Sequence, residues 1–215
     1  RVATAPNMVS NFVVDAAIRK PVANTYKPQF ASRLTGPNYV RTSESDAQLD
    51  FGFTWDYMDG FHEDASTADS NIYSWMFKRA PGFFDVVTYT GNGNSGRTIN
   101  HNLGAVPELW IFKRRDAVGS WTVGSSYLSN PTGDRLILNS NGAVAATGIT
   151  AWTNTATTFL ADYSGIYNAS GADYISLFFA SLSGISKVGT YTFSGSDIDV
   201  DCGFTNGARF VLIKG

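Results

Sequence analysis

The stretch YSWMFKRAPGFFDVVTYTGNG, residues 73–93, decides the fold because the chain contains a second version of it. The second version, ISLFFASLSGISKVGTYTFSG, occupies residues 175–195, at an offset of 102 positions. The positions that match are Phe77 and Phe179, Gly82 and Gly184, and Tyr89 and Tyr191. At an offset of 101, LGAVPELWIFK (103–113) matches FTNGARFVLIK (204–214). A period of roughly 100 residues is the size of one β-sandwich and is far too long for a solenoid repeat.

Short segments rich in β-branched and aromatic residues, separated by Gly, Asn, Pro and Ser, predict strands along most of the chain. The predicted strands are FDVVTYT (84–90), ELWIFKR (108–114), SWTVGSS (120–126), DRLILNS (134–140), TTFLADY (157–163), YISLFFASL (174–182), KVGTYTF (187–193) and ARFVLIK (208–214). The segment 10–20 is ambiguous between helix and strand. The pattern predicts an all-β fold of tandem antiparallel β-sandwich repeat units, jelly-roll or immunoglobulin-like.

The repeat also divides the chain. Residues 1–84 are interpreted as a truncated first repeat without its N-terminal strands, and residues 85–184 as a complete one. Residues 185–215 then form the start of a third repeat, or strands that complete the fold. The first repeat is the faintest, since FTWDYMDGF (53–61) only loosely resembles TTFLADYSGI (157–166).

Composition and charge exclude several classes of protein. Charged residues make up 16% of the chain and the net charge is −2, whereas soluble domains carry about 25% charged residues. Lys and Arg do not cluster enough for a surface that binds nucleic acid. No stretch approaches the roughly 18 apolar residues of a membrane span. The single cysteine, Cys202, rules out an internal disulfide and is expected to be a small buried thiol.

The stretch GNGNSG (91–96) satisfies G-x-G-x-x-G, the dinucleotide-binding fingerprint. That site requires a helix directly after the glycines, because the pyrophosphate lies at the helix N-terminus. The residues that follow, RTINHNLG, have a strand pattern, and the second copy lacks the motif. We therefore expect a glycine-rich hairpin loop and no cofactor.

The sequence contains no pattern that is typical of a catalytic site. His62 and His101 are the only histidines, no G-x-S-x-G is present, and a structural or interface role for His101 is favoured. Zinc is also poorly supported, because no two ligands have the required close spacing. The sequence therefore predicts a protein that is not an enzyme.

The acidic segment WDYMDGFHED (55–64) contains the best metal candidates. Asp56, Asp59 and Glu63 offer oxygen ligands of the kind that calcium prefers. Their spacing does not fit the EF-hand loop, so a solvated turn between strands is the favoured interpretation.

Two tryptophans near loop segments, Trp55 and Trp152, are candidates for glycan or interface contact, because exposed aromatic rings stack on sugars. Trp75 and Trp110 lie in strongly apolar strands and are expected in the core. The NAS motif at 168–170 matches a glycosylation acceptor.

A resemblance to a known family covers essentially the whole chain and is strongest over residues 70–116 and 170–215. It is carried by HNLG-x-x-P (101–107), IFKRRD (111–116) and SGADYISLFFA (170–180). They resemble a domain, often found in tandem, of long virion proteins of tailed bacteriophages, notably marine phages and cyanophages. The resemblance implies a tail fibre or tail-associated structural protein in the virion, outside the cell, that contributes to host attachment. It also implies a homo-oligomer, expected to be a trimer, with other virion proteins and a host-surface glycan or receptor as partners.

Two other functions stay open. A carbohydrate-binding module, on a fibre tip or a secreted protein, predicts exposed Trp or Tyr on one concave face. A capsid decoration or tail-tube component would differ in its copy number in the particle.

Overall fold

The computed structural model describes residues 5–22, 25–64, 71–130, 133–146, 153–161 and 165–214. Within these residues the chain forms strands and one short 3₁₀ turn, Arg33–Thr35, which confirms the all-β prediction. The strands of the N-terminal part are β1 (Met8–Val9), β2 (Ala16–Pro21), β3 (Gln29–Ser32), β4 (Asn38–Arg41), β5 (Leu49–Asp50), β6 (Gly60–Phe61) and β7 (Ile72–Phe77). Those that follow are β8 (Phe84–Thr90), β9 (Arg97–Asn100), β10 (Leu109–Arg114), β11 (Thr122–Ser125), β12 (Asp134–Ile137), β13 (Ala145–Ala146), β14 (Thr158–Ala161) and β15 (Asp173–Phe179).

The strands form two large antiparallel sheets and two small ones. The first sheet has the order β5-β4-β3-β2-β7, and the second has the order β13-β12-β11-β10-β15-β8. The small sheets are the pairs β1-β6 and β9-β14. The two orders correspond strand by strand: β7 occupies the position of β15, β2 that of β10, and so on as far as β5 and β13. The second sheet has β8 in addition, beyond β15.

The two large sheets pack face to face through one continuous core. Alternation along the strands places Ala16, Phe30 and Phe77 of the first sheet against Ile111 and Leu177 of the second. The ring of Trp121, from the segment before β11, meets the ring of Phe30 edge-on at 5.9 Å between centroids. This core contains residues from both sides of position 84, so the segments 1–84 and 85–184 share buried surface.

Each large sheet carries a small sheet on part of its outer face. On the first sheet, Ala17, Ala31 and Tyr39 pack with Phe53 and Phe61. On the second sheet, a matching core of Trp110, Phe112 and Phe178 packs against Ile99 and Phe159. The layers therefore follow one another as small sheet, first sheet, second sheet, small sheet.

Three expectations about local structure need correction or completion. The ambiguous segment 10–20 contains the start of a strand, β2. The predicted strands at 187–193 and 208–214 are wrong, because neither segment forms a ladder with another strand. A strand sequence forms a strand only when it pairs with a neighbouring edge, and within the described residues neither segment does so.

The prediction of a hairpin at GNGNSG (91–96) is also wrong. The strand before it, β8, pairs with β15, whereas the strand after it, β9, pairs with β14. The glycine-rich stretch therefore connects a large sheet to a small one. Strand periodicity indicates that a chain reversal occurs here, but not which edge each strand joins.

Candidate assembly site

The edge of the first sheet at β7 is open within the described part of the chain. In the second sheet the corresponding strand, β15, lies between β10 and β8 and is buried along most of its length. On the other strand, β7, only Phe77 is buried, and Tyr73 is 65% exposed. The difference arises because β7 pairs with β2 alone.

The backbone groups on this edge can be assigned from the hydrogen bonds of β7. The carbonyl oxygens of Asn71 and Phe77 accept from Val22 and Asp15, respectively, on the side of β2. Because alternate residues of a strand direct their backbone groups to opposite sides, Ile72, Ser74 and Met76 direct theirs away from β2. These are strong donors and acceptors that favour a further strand.

The second element of the site is the C-terminal segment, residues 185–214, which contains no strand. It exposes an unusual number of large apolar side chains. Eight of them have a third or more of their surface in solvent. They are Ile185, Tyr191, Phe193, Ile198, Val200, Val211, Leu212 and Ile213.

The end of this segment returns to the core between the sheets. The ring centroid of Phe210 lies 5.9 Å from that of Trp75 and 5.6 Å from that of Phe77. Phe210 and Leu212 also line an apolar cavity of about 290 Å³ whose other walls come from both large sheets. The segment is therefore anchored at residue 210, while residues 189–201 remain exposed.

The metal candidates are not brought together as a set. Glu63 is buried and forms an ion pair with Arg19, with 2.7 Å between Oε2 and Nε. Burial raises the pKa of the Glu63 carboxyl, and the Arg19 guanidinium opposes that shift. Asp56 and Asp59 are exposed, and the Asp59 carbonyl accepts from Ser10 and Asn11. Within the described ranges, no three His, Cys, Asp or Glu side chains form a group that could hold a metal ion.

Of the two tryptophans that are candidates for glycan or interface contact, the structure describes Trp55. Trp55 is 5% exposed, stacks on Phe61 at 4.9 Å and donates from Nε1 to the Gly36 carbonyl at 2.8 Å. Its ring therefore lies in the core of the first sheet and offers no free face to a sugar. Trp152 lies outside the described residues.

Lys113, on β10, is fully buried where the two large sheets meet. Its Nζ donates to the Arg114 carbonyl at 2.6 Å and to the Ser45 carbonyl, in the loop after β4, at 3.4 Å. Burial lowers the pKa of Lys113 to about 8, although nearby Asp46 and Asp116 raise it in part. The lysine thus ties a loop of the first sheet to a strand of the second.

The GNGNSG loop is held by Asn168, which is completely buried. The Asn168 side chain donates to Asn92 Oδ1 at 2.9 Å and to the Asn94 carbonyl at 2.7 Å, and its Oδ1 accepts from the Asn92 backbone. A Cβ atom at Gly91 would overlap the carbonyl of Ala169. Because the Asn168 amide is buried and occupied, the NAS motif cannot accept a glycan in the folded chain.

The remaining candidates have structural positions. His101 is buried with its ring 5.0 Å from Phe178, and burial lowers its pKa. Cys202 is half-buried in the C-terminal segment, so its expected burial in a strand is wrong.

Sequence reasoning missed Arg19, Lys113 and Asn168, the buried polar groups that fix these contacts. Arg19 and Lys113 carry one weak signal, since each is a cation within an apolar strand (AAIRKP and LWIFKR). Asn168 carries no signal, because its role depends on a loop that lies 76 residues earlier in the chain.

None of the helical structure in the described residues is long and apolar enough to cross a membrane. No curated protein and no solved structure matches the chain. One family model does, and its description is "Domain of unknown function (DUF7483)". The match covers residues 38–215, which include the second sheet, β7 and the whole C-terminal segment. The chain therefore belongs to the DUF7483 family.

Proposed function

We propose that the chain is a non-enzymatic structural component of a bacteriophage virion, as a tail fibre or tail-associated segment that contributes to host attachment. The observation that carries this proposal is the pairing of two large sheets with corresponding strand order around one core. Such a block resists bending between its halves, because bending would expose the shared apolar surface to water. A fibre needs stiffness of this kind. The sequence resemblance to virion proteins supplies the biological setting.

Immunogold electron microscopy tests the proposal directly. An antibody raised against the folded chain is applied to particles of a tailed phage whose genome encodes it. We expect gold on the tail fibres. Gold on the capsid or along the tail tube would favour a decoration or tube component, and unlabelled particles would overturn a virion role.

The trimer expected from the resemblance stays a prediction. Light scattering of the purified chain tests it, and a mass of one chain across micromolar concentrations would count against it.

A second candidate, carbohydrate binding, is favoured by a groove on the outer face of the first sheet. The groove has a volume of about 390 Å³ and is lined by Tyr26, Tyr39, Phe51, Lys27 and Arg41, among others. Tyr26 is 52% exposed, and Lys27 and Arg41 form ion pairs with Glu44 and Asp46. Aromatic rings beside paired cations and carboxylates suit a sugar, because its ring can stack on the aromatic face and its hydroxyls can both donate and accept hydrogen bonds.

A glycan array that contains neutral and acidic saccharides tests this second function. We expect a glycan signal that Tyr26→Ala abolishes, while Tyr127→Ala, at an exposed tyrosine outside the groove, leaves it unchanged. An array without signal would remove the candidate.

A further inference from the structure

We propose that the open edge of β7 binds residues 187–193 of a second copy of this chain, which add a sixth strand to the first sheet. This inference concerns the chain itself and does not depend on its place in a phage particle. It rests on a pairing that the molecule already contains, that of β8 with β15.

The two partners are the sequence counterparts of that pair. β7 matches Tyr174–Phe179 of β15, and residues 187–192 match Asp85–Thr90 of β8, each at an offset of 102 positions. In the second sheet these two sequences form an antiparallel ladder from Asp173 to Phe179. The first sheet thus has the β15-like strand without its neighbour, and the C-terminal segment has the β8-like sequence without its partner.

The backbone groups have the correct direction for this pairing. The Ala172 carbonyl accepts from Gly91 and the Ala180 N–H donates to Phe83, so even-numbered residues of β15 face β8. Shifted by 102 positions, they are Ile72, Ser74 and Met76, the residues of β7 that direct their backbone groups away from β2. The hydrogen bonds of β7 and those of β15 thus give the same direction for the backbone groups at the open edge.

The existing register then fixes the new one. Tyr174 lies opposite Tyr89 and Ser176 lies opposite Val87. The corresponding pairs are Ile72 with Tyr191 and Ser74 with Gly189. Between them, Tyr73 lies opposite Thr190 in a pair without mutual hydrogen bonds, where side chains approach most closely.

The side chains along this register are also compatible. Tyr89 stacks on Tyr174 at 5.1 Å, and the new pair places Tyr191, now 47% exposed, on Ile72. Thr90 donates from its hydroxyl to Asp173 at 2.8 Å, and the corresponding Thr192 faces Asn71, whose amide also accepts. Binding would therefore cover apolar surface and keep the polar pair at the end of the ladder.

A second copy is the occupant because, within the described residues, β7 pairs with β2 alone and residues 189–193 of the same chain are exposed and unpaired with any strand. Each copy presents its β7 edge to one neighbour and its residues 187–193 to another. Binding is therefore head-to-tail, and a third copy can add in the same way. The added strand becomes the new sheet edge, which is also the position of β8 in the second sheet.

Cysteine cross-linking tests the register. Two single-cysteine variants, Tyr73→Cys and Thr190→Cys, both with Cys202→Ser, are mixed under mild oxidation. Any bond between different variants joins two molecules. We expect Tyr73→Cys and Thr190→Cys to form the mixed disulfide much faster than Tyr73→Cys and Gly189→Cys do. Gly189→Cys is the control, because its side chain points to the opposite face. Equal rates, or no mixed disulfide, would overturn the proposal.

Proline substitutions test the hydrogen bonds. Gly189→Pro removes an N–H that faces β7 in this register, whereas Thr190→Pro removes one that faces solvent. Neither residue lies in a strand of the isolated chain, so both variants are expected to fold alike. In sedimentation velocity we expect the unchanged chain to associate as its concentration rises, Thr190→Pro to retain that association, and Gly189→Pro to lose it.

The same experiment distinguishes the other outcomes. A chain that stays monomeric at every concentration, or two proline variants that associate equally, would show that 187–193 of another copy does not occupy the edge. A monomeric chain in which the amides of Ile72, Ser74 and Met76 are protected from hydrogen exchange would show that its own segment covers the edge.

Discussion

At the scale of single residues, the buried ion pair between Arg19 and Glu63 is the most demanding contact in the first sheet. Arg19 is 1% exposed, donates to Gln29 Oε1 at 2.5 Å and lies over the Phe51 ring at 4.7 Å. A buried pair of this kind contributes little net stability, yet loss of one partner leaves a charge without compensation. Arg19 thus requires Glu63, which is the reason that this carboxylate is not available to a metal.

The variant Glu63→Gln tests this requirement. We expect it to lower the free energy of unfolding by about 3 kcal/mol, because the Arg19 charge remains buried. The double variant Arg19→Met/Glu63→Met should lose less than that single variant. Urea denaturation measures both, and a single variant as stable as the unchanged chain would contradict the assignment.

Lys113 predicts a pH dependence whose sign follows from its burial. Its pKa is about 8 in the folded chain and about 10.4 when unfolded, so between these values the unfolded chain binds more protons. Stability contributed by this residue therefore rises with pH across that window and is constant below it.

The comparison with Lys113→Met isolates that effect. From pH 7.5 to 9.5 we expect the unchanged chain to gain about 1 to 2 kcal/mol relative to the variant, measured by urea denaturation. The variant keeps every tyrosine, so their titration affects both proteins equally. Parallel pH profiles would show that Lys113 is not desolvated.

At the scale of elements, the connection between β8 and β9 shows why its glycines are needed. Gly91 packs directly against the Ala169 carbonyl, and Gly93 and Gly96 have φ values of 72° and 73°, in the left-handed region. The Asn168 side chain holds the turn through hydrogen bonds to Asn92 and Asn94. The G-x-G-x-x-G spacing thus results from the close approach of two backbones, that of the glycine-rich connection and that of Ala169, where the chain passes from a large sheet to a small one.

Gly91→Ala is expected to destabilise the chain by about 3 kcal/mol, because backbone must shift to make room for the added carbon. Gly142→Ala is the matched control, since its φ is ordinary and its nearest contact would be Ser140 Oγ at 3.4 Å. The control should change the melting temperature little. Equal shifts for the two variants would contradict the close packing.

The elements themselves were largely predictable from the sequence, and their partners were not. Alternation and β-branched composition located β8, β10, β12 and β15, because those signals are local. The same signals predicted strands at 187–193 and 208–214, which pair with no sheet edge in the described structure. Pairing depends on contacts between distant segments, so it also escaped prediction at GNGNSG, as did the burial of Trp55 and the pairing of Glu63.

At the scale of the whole molecule, the core between the two large sheets makes them one cooperative body. Phe30 of the first sheet and Trp121 beside β11 of the second are each 1% exposed and touch one another. Surface shared in this way couples the stability of the two sheets.

Phe30→Ala tests that coupling. We expect a loss of about 3 to 5 kcal/mol and a single transition in which circular dichroism and tryptophan fluorescence coincide. Val118→Ala, at a position 73% exposed, is the control and should be nearly neutral. Two separate transitions would show that the sheets unfold independently.

The connection between β7 and β8 consists of only six residues, 78–83, and it joins one large sheet to the other. A tether this short gives each newly formed apolar face a very high effective concentration of its intended partner, on the order of millimolar. At micromolar protein concentrations, each sheet therefore encounters its own partner sheet before it encounters a neighbouring molecule. Refolding should therefore remain efficient as the protein concentration rises through the micromolar range, as long as this connection is not lengthened.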